Sequence, residues 1–221
     1  MAAVDFYIDV VSPYSWLGWH ALSRLGARTP LEIRCTPVLF AALLDAVGGV
    51  GPAEIASKRA YTIRDVMRVA RFEGLPFRFP PAHPFNPLAA LRLCVATDDD
   101  ADRFRLAGAL LDATWASARD ITQEQTLRQI LAECRLPAET LDVARSDGVK
   151  ARLRSNTQAA LALGVFGVPT CRVGSELFWG HDRIPHLDAW LRGDLELDEQ
   201  AYADALNTPR GSDRRRTAAP Q

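Results

Sequence analysis

The stretch from Asp5 to Trp16 constrains the fold of this chain more than any other part. Phe6 to Val11 is rich in aromatic and β-branched residues, which is typical of a buried strand. Ser12 and Pro13 then precede an apolar pattern with helical spacing, so Ser12 is a candidate N-cap and Pro13 suits the first helical turn. The unpaired N–H groups of that turn would favour an anion beside the Ser12 hydroxyl. Ser12 is therefore either a ligand-binding residue or only a helix cap.

A second strand is predicted soon after this helix. The helical pattern covers about residues 14–28 and is broken by Thr29 and Pro30. Leu31 to Thr36 then alternates between apolar and polar residues, as a half-buried strand does. A strand, a helix and a second strand in quick succession form a βαβ unit, in which the two strands are parallel. The chain therefore begins as an α/β fold.

Residues 40–156 carry helical patterns and no strand pattern. A proline-rich connector at residues 75–87 interrupts them. Helices are predicted at residues 40–47, 52–72, 88–97, 102–118, 123–134, 139–144 and 147–163. Asp100, Thr122 and Ser146 are the predicted cap residues within this run. The region indicates a large all-helical subdomain inserted into the α/β fold.

The α/β pattern returns after the insertion. Gly164 to Val173 is a glycine-punctuated turn that leads into a strand, Glu176 to Trp179 is a second short strand, and Ile184 to Leu191 is a helix. The predicted organisation is a discontinuous α/β domain of residues 1–39 and 157–195, a helical insertion of residues 40–156, and a partly disordered tail of residues 196–221.

Charge and cysteine content exclude several classes of function. Lys and Arg number 26 against 27 Asp and Glu, so no net charge attracts nucleic acid or an anionic membrane. The sequence has neither a secretory signal nor an apolar run long enough to span a bilayer, and a cytoplasmic location is expected. The four cysteines form no C-x-x-C pair and no zinc-binding pattern, so they are expected to be reduced and buried, and no metal site is expected.

The order of elements, with Gly167-Val168-Pro169-Thr170 before the last hairpin, resembles the thioredoxin superfamily. The resemblance implies that the Val168–Pro169 bond is cis and that the Val168 backbone is free to pair with a peptide by strand addition. Where disulfide oxidoreductases carry C-x-x-C, this chain has Ser12-Pro13-Tyr14-Ser15. Disulfide exchange needs an attacking and a resolving sulfur, so the segment from Ser12 to Ser15 argues against that activity.

Within the superfamily, the chain resembles the 2-hydroxychromene-2-carboxylate isomerase family and its neighbour, the kappa-class glutathione transferases. The resemblance extends from about residue 4 to residue 192. It rests on the segments at residues 5–14, 56–59, 83–86, 155–157, 164–170 and 178–183, among which Gly-Val-Pro-Thr and Trp-Gly-His-Asp-Arg are the most specific.

The resemblance implies a glutathione site. Ser12 would face the glutathione sulfur, and the helix terminus beside it would lower the pKa of that thiol. The Val168 backbone would pair with the cysteinyl portion, while His181 and Asp182 would bind the γ-glutamyl end. Asp182 has an alternative role as the cap of the last helix. Asp9 is left out of the site, because strand alternation turns it away from Ser12.

The resemblance also implies a substrate site. Lys58 would bind a substrate carboxylate, and Phe85 and Asn86 would line the pocket; the alternative for Lys58 is a solvated helix residue. The implied function is a glutathione-dependent isomerase of aromatic compound catabolism, acting by transient addition of the thiolate to 2-hydroxychromene-2-carboxylate or a related unsaturated aromatic pyruvate. A homodimer is expected.

Three alternatives stay open at the level of sequence. The first is a kappa-type glutathione transferase that conjugates electrophiles at the same thiolate site. The second is a non-catalytic thioredoxin-like module that binds a peptide at Val168. The third is an oxidoreductase that uses Cys171, the cysteine beside the Val168 turn.

Overall fold

A four-stranded sheet forms the α/β part of the chain in the computed structural model, which describes residues 2–211. The strands are β1 (Ala2–Ile8), β2 (Leu31–Pro37), β3 (Thr170–Val173) and β4 (Glu176–Trp179), in the spatial order β2-β1-β3-β4. β1 and β2 are parallel, as the βαβ pattern predicts, whereas β3 is antiparallel to both β1 and β4. The sheet is therefore mixed, and β1 is one of its two central strands.

Ten helices surround this sheet within the described residues. They are α1 (Pro13–Gly26), α2 (Phe40–Ala46), α3 (Ala56–Phe72), α4 (Leu88–Ala96), α5 (Asp100–Trp115), α6 (Glu124–Glu133), α7 (Thr140–Ala144), α8 (Asp147–Ala162), α9 (Ile184–Leu191) and α10 (Glu199–Leu206). The α/β architecture with a long helical insertion is confirmed. No helix between residues 2 and 211 is both long and apolar enough to cross a bilayer.

Two of the three predicted caps are wrong, by one residue each. Ser146 caps α8 by accepting from the Val149 N–H, as predicted. α5 is capped by Asp99 and not by Asp100, because the Asp99 backbone is still extended and its carboxylate accepts from the Asp102 N–H. α6 begins after Gln123, whose side chain makes no cap bond, and the Thr122 hydroxyl donates to Asp120 instead.

The predicted domains share one continuous core. A single cluster of buried side chains runs from Phe6 of β1 to Leu93 of α4, Leu110 of α5 and Leu153 of α8. The boundary predicted between residues 156 and 157 falls inside α8. The predicted division into two domains therefore stays a proposal. The tail predicted to be partly disordered spans residues 196–221. α10 lies within it, and residues 212–221 lie outside the described part.

Tryptophans attach α1 to α5. The Trp16 indole N–H donates to Asp112 at 2.8 Å, and the Trp19 indole N–H donates to the Phe104 carbonyl at 2.9 Å. Gly108 permits this approach, because a Cβ at that position would lie 2.1 Å from the Trp19 ring. The start of α1, which follows Ser12, is thereby fixed against the helical insertion.

Candidate functional site

A cavity of about 790 Å³ lies where β1 and β2 end, between the sheet and the helical insertion. Its walls come from the β1–α1 turn, from α2 and α3, from the proline-rich connector and from the turn before β3. Eight aromatic side chains line it: Tyr14, Phe40, Phe77, Phe79, Phe85, Trp115, Phe166 and Trp179. This volume and this aromatic lining are typical of a site for a small organic molecule.

Ser12 lies at the wall of this cavity and caps α1. Its Oγ accepts from the Ser15 N–H at 3.2 Å, and its side chain is almost fully buried. A hydroxyl that accepts still has one proton to donate, and no acceptor for that proton is found within residues 2–211. The two interpretations of Ser12 are therefore compatible, because the cap leaves the hydroxyl proton available to a ligand.

The turn that carries Ser12 is held by groups from the insertion. The Trp115 indole N–H donates to the Val10 carbonyl at 3.0 Å, and His83 Nε2 lies 3.1 Å from the Val11 carbonyl. A carbonyl only accepts, so Nε2 of His83 carries the proton in this contact. Burial lowers the pKa of His83, and its Nδ1 is buried without a partner among the described residues. His83 therefore positions the turn as a neutral donor.

Asp9 is the main residue that sequence analysis missed. It follows the last residue of β1, is fully buried and borders the cavity. One carboxylate oxygen accepts from the Val11 N–H at 3.0 Å and the other from the Phe40 N–H at 2.9 Å. Asp9 thus joins the Ser12 turn to the first residue of α2. Burial raises the pKa of Asp9 to about 6, and the two N–H donors oppose this shift.

We expect Asp9 to make stability fall as the pH rises from about 4 to 7. The folded carboxyl keeps its proton up to about pH 6, whereas an unperturbed Asp carboxyl has a pKa of 3.8. Between these two pKa values the folded state binds more protons than the unfolded state. The stability that Asp9 contributes is therefore fully present below the unfolded pKa and is lost as the pH rises through the folded pKa. The loss is roughly 2–3 kcal/mol. It is measured as the difference in unfolding free energy between wild type and Asp9→Asn, which has no carboxyl to titrate. A difference that does not change with pH would contradict the expectation.

Val168 lies in the turn before β3 and presents free backbone groups to the cavity. The Val168–Pro169 bond is cis, as the resemblance implied. Val168 borders the cavity, and no hydrogen bond to its N–H or C=O is found within residues 2–211. Pro169 packs closely against α1, since a Cβ on Gly18 would lie 2.9 Å from its ring. The Val168 backbone is thus an available donor and acceptor on the sheet side of the cavity.

His181 and Asp182 lie on a 3₁₀ turn before α9 and outside the lining of the cavity. The His181 ring stacks on Tyr14, with ring centroids 5.3 Å apart, and burial lowers the pKa of His181. The Tyr14 hydroxyl donates to Asp65 of α3 at 2.9 Å. Asp182 is exposed and accepts from Arg183 at 3.0 Å. Asp182 makes no cap bond to α9, whose N-cap position is Arg183. Their predicted roles stay predictions.

Arg59, and not Lys58, borders the cavity. Both residues are exposed and lie in the first turn of α3, and neither forms an ion pair within residues 2–211. Besides burial, the positive charge of Arg59 lowers the pKa of His83, and both residues border the cavity. Arg59 is therefore a cation that sequence analysis did not single out.

Phe85 and Asn86 occupy different positions relative to the cavity. Phe85 borders the cavity, as predicted. Asn86 is exposed and outside the lining, and its Oδ1 accepts from the Leu88 N–H at 3.0 Å at the start of α4. The geometry therefore gives Asn86 a local structural contact beside its predicted substrate role.

The cysteines offer no thiolate to this cavity. All four are buried and free, and none belongs to the lining. Burial raises the pKa of Cys171, which opposes formation of a thiolate. Nothing in the geometry therefore favours an oxidoreductase that uses Cys171. Among residues 2–211, no three His, Cys, Asp or Glu side chains come together as a metal-binding group.

Comparison with known proteins identifies the family of this chain. The family model of the DSBA-like thioredoxin domain matches residues 3–192. The chain belongs to this family. A 2-hydroxychromene-2-carboxylate isomerase from Pseudomonas sp. (strain C18) is 31% identical over 195 residues, which cover 86% of this chain and 90% of the relative. Glutathione S-transferase kappa 2 from Caenorhabditis elegans is 27% identical over 206 residues, covering 85% and 91%.

A solved structure of a 2-hydroxychromene-2-carboxylate isomerase is similar along the whole fold. Its TM-score is 0.80 at 25% identity, and the match covers 94% of this chain and 100% of that one. The resemblance to the isomerase family and to the kappa-class transferases is confirmed, and so is the thioredoxin-like fold. α10 follows residue 192, where the match to the family model ends.

Proposed function

We propose that this protein is a glutathione-dependent isomerase of 2-hydroxychromene-2-carboxylate or a related unsaturated aromatic pyruvate. The observation that carries the proposal is the composition of the cavity. Its lining combines the Ser12 hydroxyl, the free Val168 backbone, the Arg59 cation and aromatic side chains. An aromatic carboxylate fits such a surface, because its ring can pack on aromatic walls while its charge meets a guanidinium.

The residues present fit glutathione. The Val168 N–H and C=O would pair with the cysteinyl backbone as an added strand. Ser12 would then lie beside the sulfur, with a hydroxyl proton to donate. His181 and Asp182 stay candidates for the γ-glutamyl end, where the Asp182 carboxylate would meet an ammonium group. Bound glutathione would supply a sulfur nucleophile for reversible addition to an electron-poor carbon, which the buried cysteines of this chain do not supply.

The chain's own residues prepare that chemistry. Ser12 would stabilise negative charge on the glutathione sulfur by donating a hydrogen bond to it. The N-terminus of α1 adds a partial positive charge beside it. His83 and Trp115 hold the turn so that the hydroxyl stays at the cavity wall. Arg59 would orient the substrate through its carboxylate, and the aromatic lining would exclude water. Four buried free cysteines support a reducing compartment, and we include a cytoplasmic location in the proposal.

The kappa-type transferase is the second candidate, since relatives of that class match the chain over similar lengths. It would use the same Ser12 and Val168 groups. The Arg59 cation favours the isomerase, because a general electrophile carries no carboxylate for it to bind.

Calorimetric titration with glutathione near neutral pH tests the shared part of both candidates. We expect saturable binding that Asp182→Ala weakens, whereas Asp142→Ala, at another exposed aspartate paired with an arginine, leaves it unchanged. The protein is then mixed with glutathione and 2-hydroxychromene-2-carboxylate. The isomerase predicts a change in the ultraviolet spectrum at constant free thiol, whereas loss of thiol would indicate the transferase. No binding at millimolar glutathione would overturn both and favour a non-catalytic peptide-binding module.

A further inference from the structure

α3 has an apolar stripe that the rest of the described chain does not cover. The stripe consists of Ala56, Ala60, Ile63 and Met67, with the alternating four- and three-residue spacing of a coiled-coil seam. Met67 is 54% exposed, and the stripe forms the floor of an open surface groove. Helices with such a seam pack against another helix. The stripe therefore indicates a missing helical partner.

Unpaired arginines border this stripe. Arg64, Arg68 and Arg71 are exposed and line the same groove, and none of them forms an ion pair within residues 2–211. α3 carries five basic residues in all, and its single acidic residue, Asp65, is occupied by the Tyr14 hydroxyl. Two copies of α3 would repel one another, so the partner that fits this surface is an acidic, amphipathic helix.

The chain itself contains such a segment. Residues 194–206, here called the acidic segment, hold five Asp or Glu residues and no Lys or Arg. The segment includes α10, and its apolar side chains Leu197, Tyr202 and Leu206 are 52%, 58% and 68% exposed. Every residue from 196 to 211 is exposed, so the acidic segment does not cover α3 of its own chain.

We propose that the acidic segment of one copy packs on the α3 stripe of a second copy, and that the exchange is reciprocal. The dimensions agree, because the stripe is about 17 Å long and α10 about 12 Å, with further residues on its N-terminal side. Reciprocal exchange of one element gives a closed two-fold dimer. Ile63 of the stripe and Arg59 beside it also border the cavity, so the partner's helix would lie beside the cavity mouth. The proposal does not depend on glutathione or on the isomerase activity.

Charge reversal and mixing test the exchange. Sedimentation equilibrium should show a wild-type dimer that dissociates at high salt. Arg64→Glu/Arg68→Glu and, separately, Glu196→Lys/Glu199→Lys should each raise the dimer dissociation constant at least about 30-fold, and the second pair leaves Asp198, the N-cap of α10, in place. An equimolar mixture of the two variants should form heterodimers. In them the reversed α3 meets the reversed segment, and the unchanged α3 meets the unchanged segment, so both contacts join opposite charges. The control Arg135→Glu/Arg154→Glu has the same change in net charge at exposed arginines outside α3 and should dimerise as wild type does.

Any of the following outcomes would overturn the proposal. A wild-type monomer at high protein concentration, or a dimer insensitive to both reversals, would show that the surfaces do not associate. Dissociation of both variants without recovery in the mixture would mean that the acidic segment docks within one chain or that α3 binds another acidic surface. Circular dichroism checks that the variants are folded, which is expected because all four substituted residues are exposed.

Discussion

Ser12→Ala is expected to lower kcat/KM of the glutathione-dependent reaction about 100-fold, the cost of removing one hydrogen-bond donor from a developing anion. The Ser12 hydroxyl is the donor at the cavity wall whose proton has no acceptor within residues 2–211. Without it, the pKa of the bound glutathione thiol should rise toward its free value of about 8.5. The ultraviolet absorbance of the thiolate, followed against pH, measures this shift directly.

A second effect of Ser12→Ala must be separated from the first. The substitution also removes the cap of α1, which costs about 1 kcal/mol of stability. Ser146→Ala removes a cap of the same kind from α8, away from the cavity, because Ser146 accepts from the Val149 N–H. We expect the two variants to lose similar stability, while only Ser12→Ala changes the thiol pKa and kcat/KM. Equal activities in the two variants would mean that Ser12 acts only as a cap.

The elements of this fold could be predicted because their signals are local. β4 and α9 have the predicted bounds, and β1, α1 and β2 differ from the prediction by a few residues at their ends. Alternation, helical spacing and proline breaks fix such segments wherever they pack. The cavity could not be predicted in this way, because its walls come from parts of the chain that no local pattern joins.

Asp9 shows why one part of the site was missed. Strand alternation predicts that Asp5 and Asp9 share a face, and Asp5 does lie within β1, paired with Arg172. β1 ends at Ile8, however, so alternation no longer applies at Asp9. The sequence signal that could have identified Asp9 is its position directly after a strand. An Asp in that position often accepts a hydrogen bond from the backbone N–H two residues later, as Asp9 does from Val11.

The difference between Lys58 and Arg59 has a similar origin. The sequence pattern predicts one helix over residues 52–72. In the structure Pro52–Glu54 is a 3₁₀ turn, Ile55 is extended, and α3 begins only at Ala56. Adjacent residues of an α-helix differ by about 100° in direction. The interruption decides which of the two cations faces the cavity, and sequence spacing alone does not reveal it.

Arg59→Leu is therefore expected to lower kcat/KM for a carboxylate substrate by about 10- to 100-fold, mainly through KM, whereas Lys58→Leu should change it less than about threefold. A hydrogen bond between charged groups contributes about 1.5–3 kcal/mol, and Arg59 is the arginine that borders the cavity near His83. Lys58 is exposed outside the lining, where a surface charge contributes little. Steady-state kinetics of the two variants, measured side by side, give the comparison.

An uncharged substrate separates binding of the carboxylate from general damage to the cavity. The methyl ester of the same substrate has no anion for Arg59, so wild type and Arg59→Leu should use it equally well. Arg59→Lys should recover part of the loss with the carboxylate, because it restores the charge without the two parallel donors of a guanidinium. Equal losses with acid and ester would contradict a carboxylate contact. A larger loss in Lys58→Leu would return that role to Lys58 and would mean that α3 turns toward the substrate when it binds.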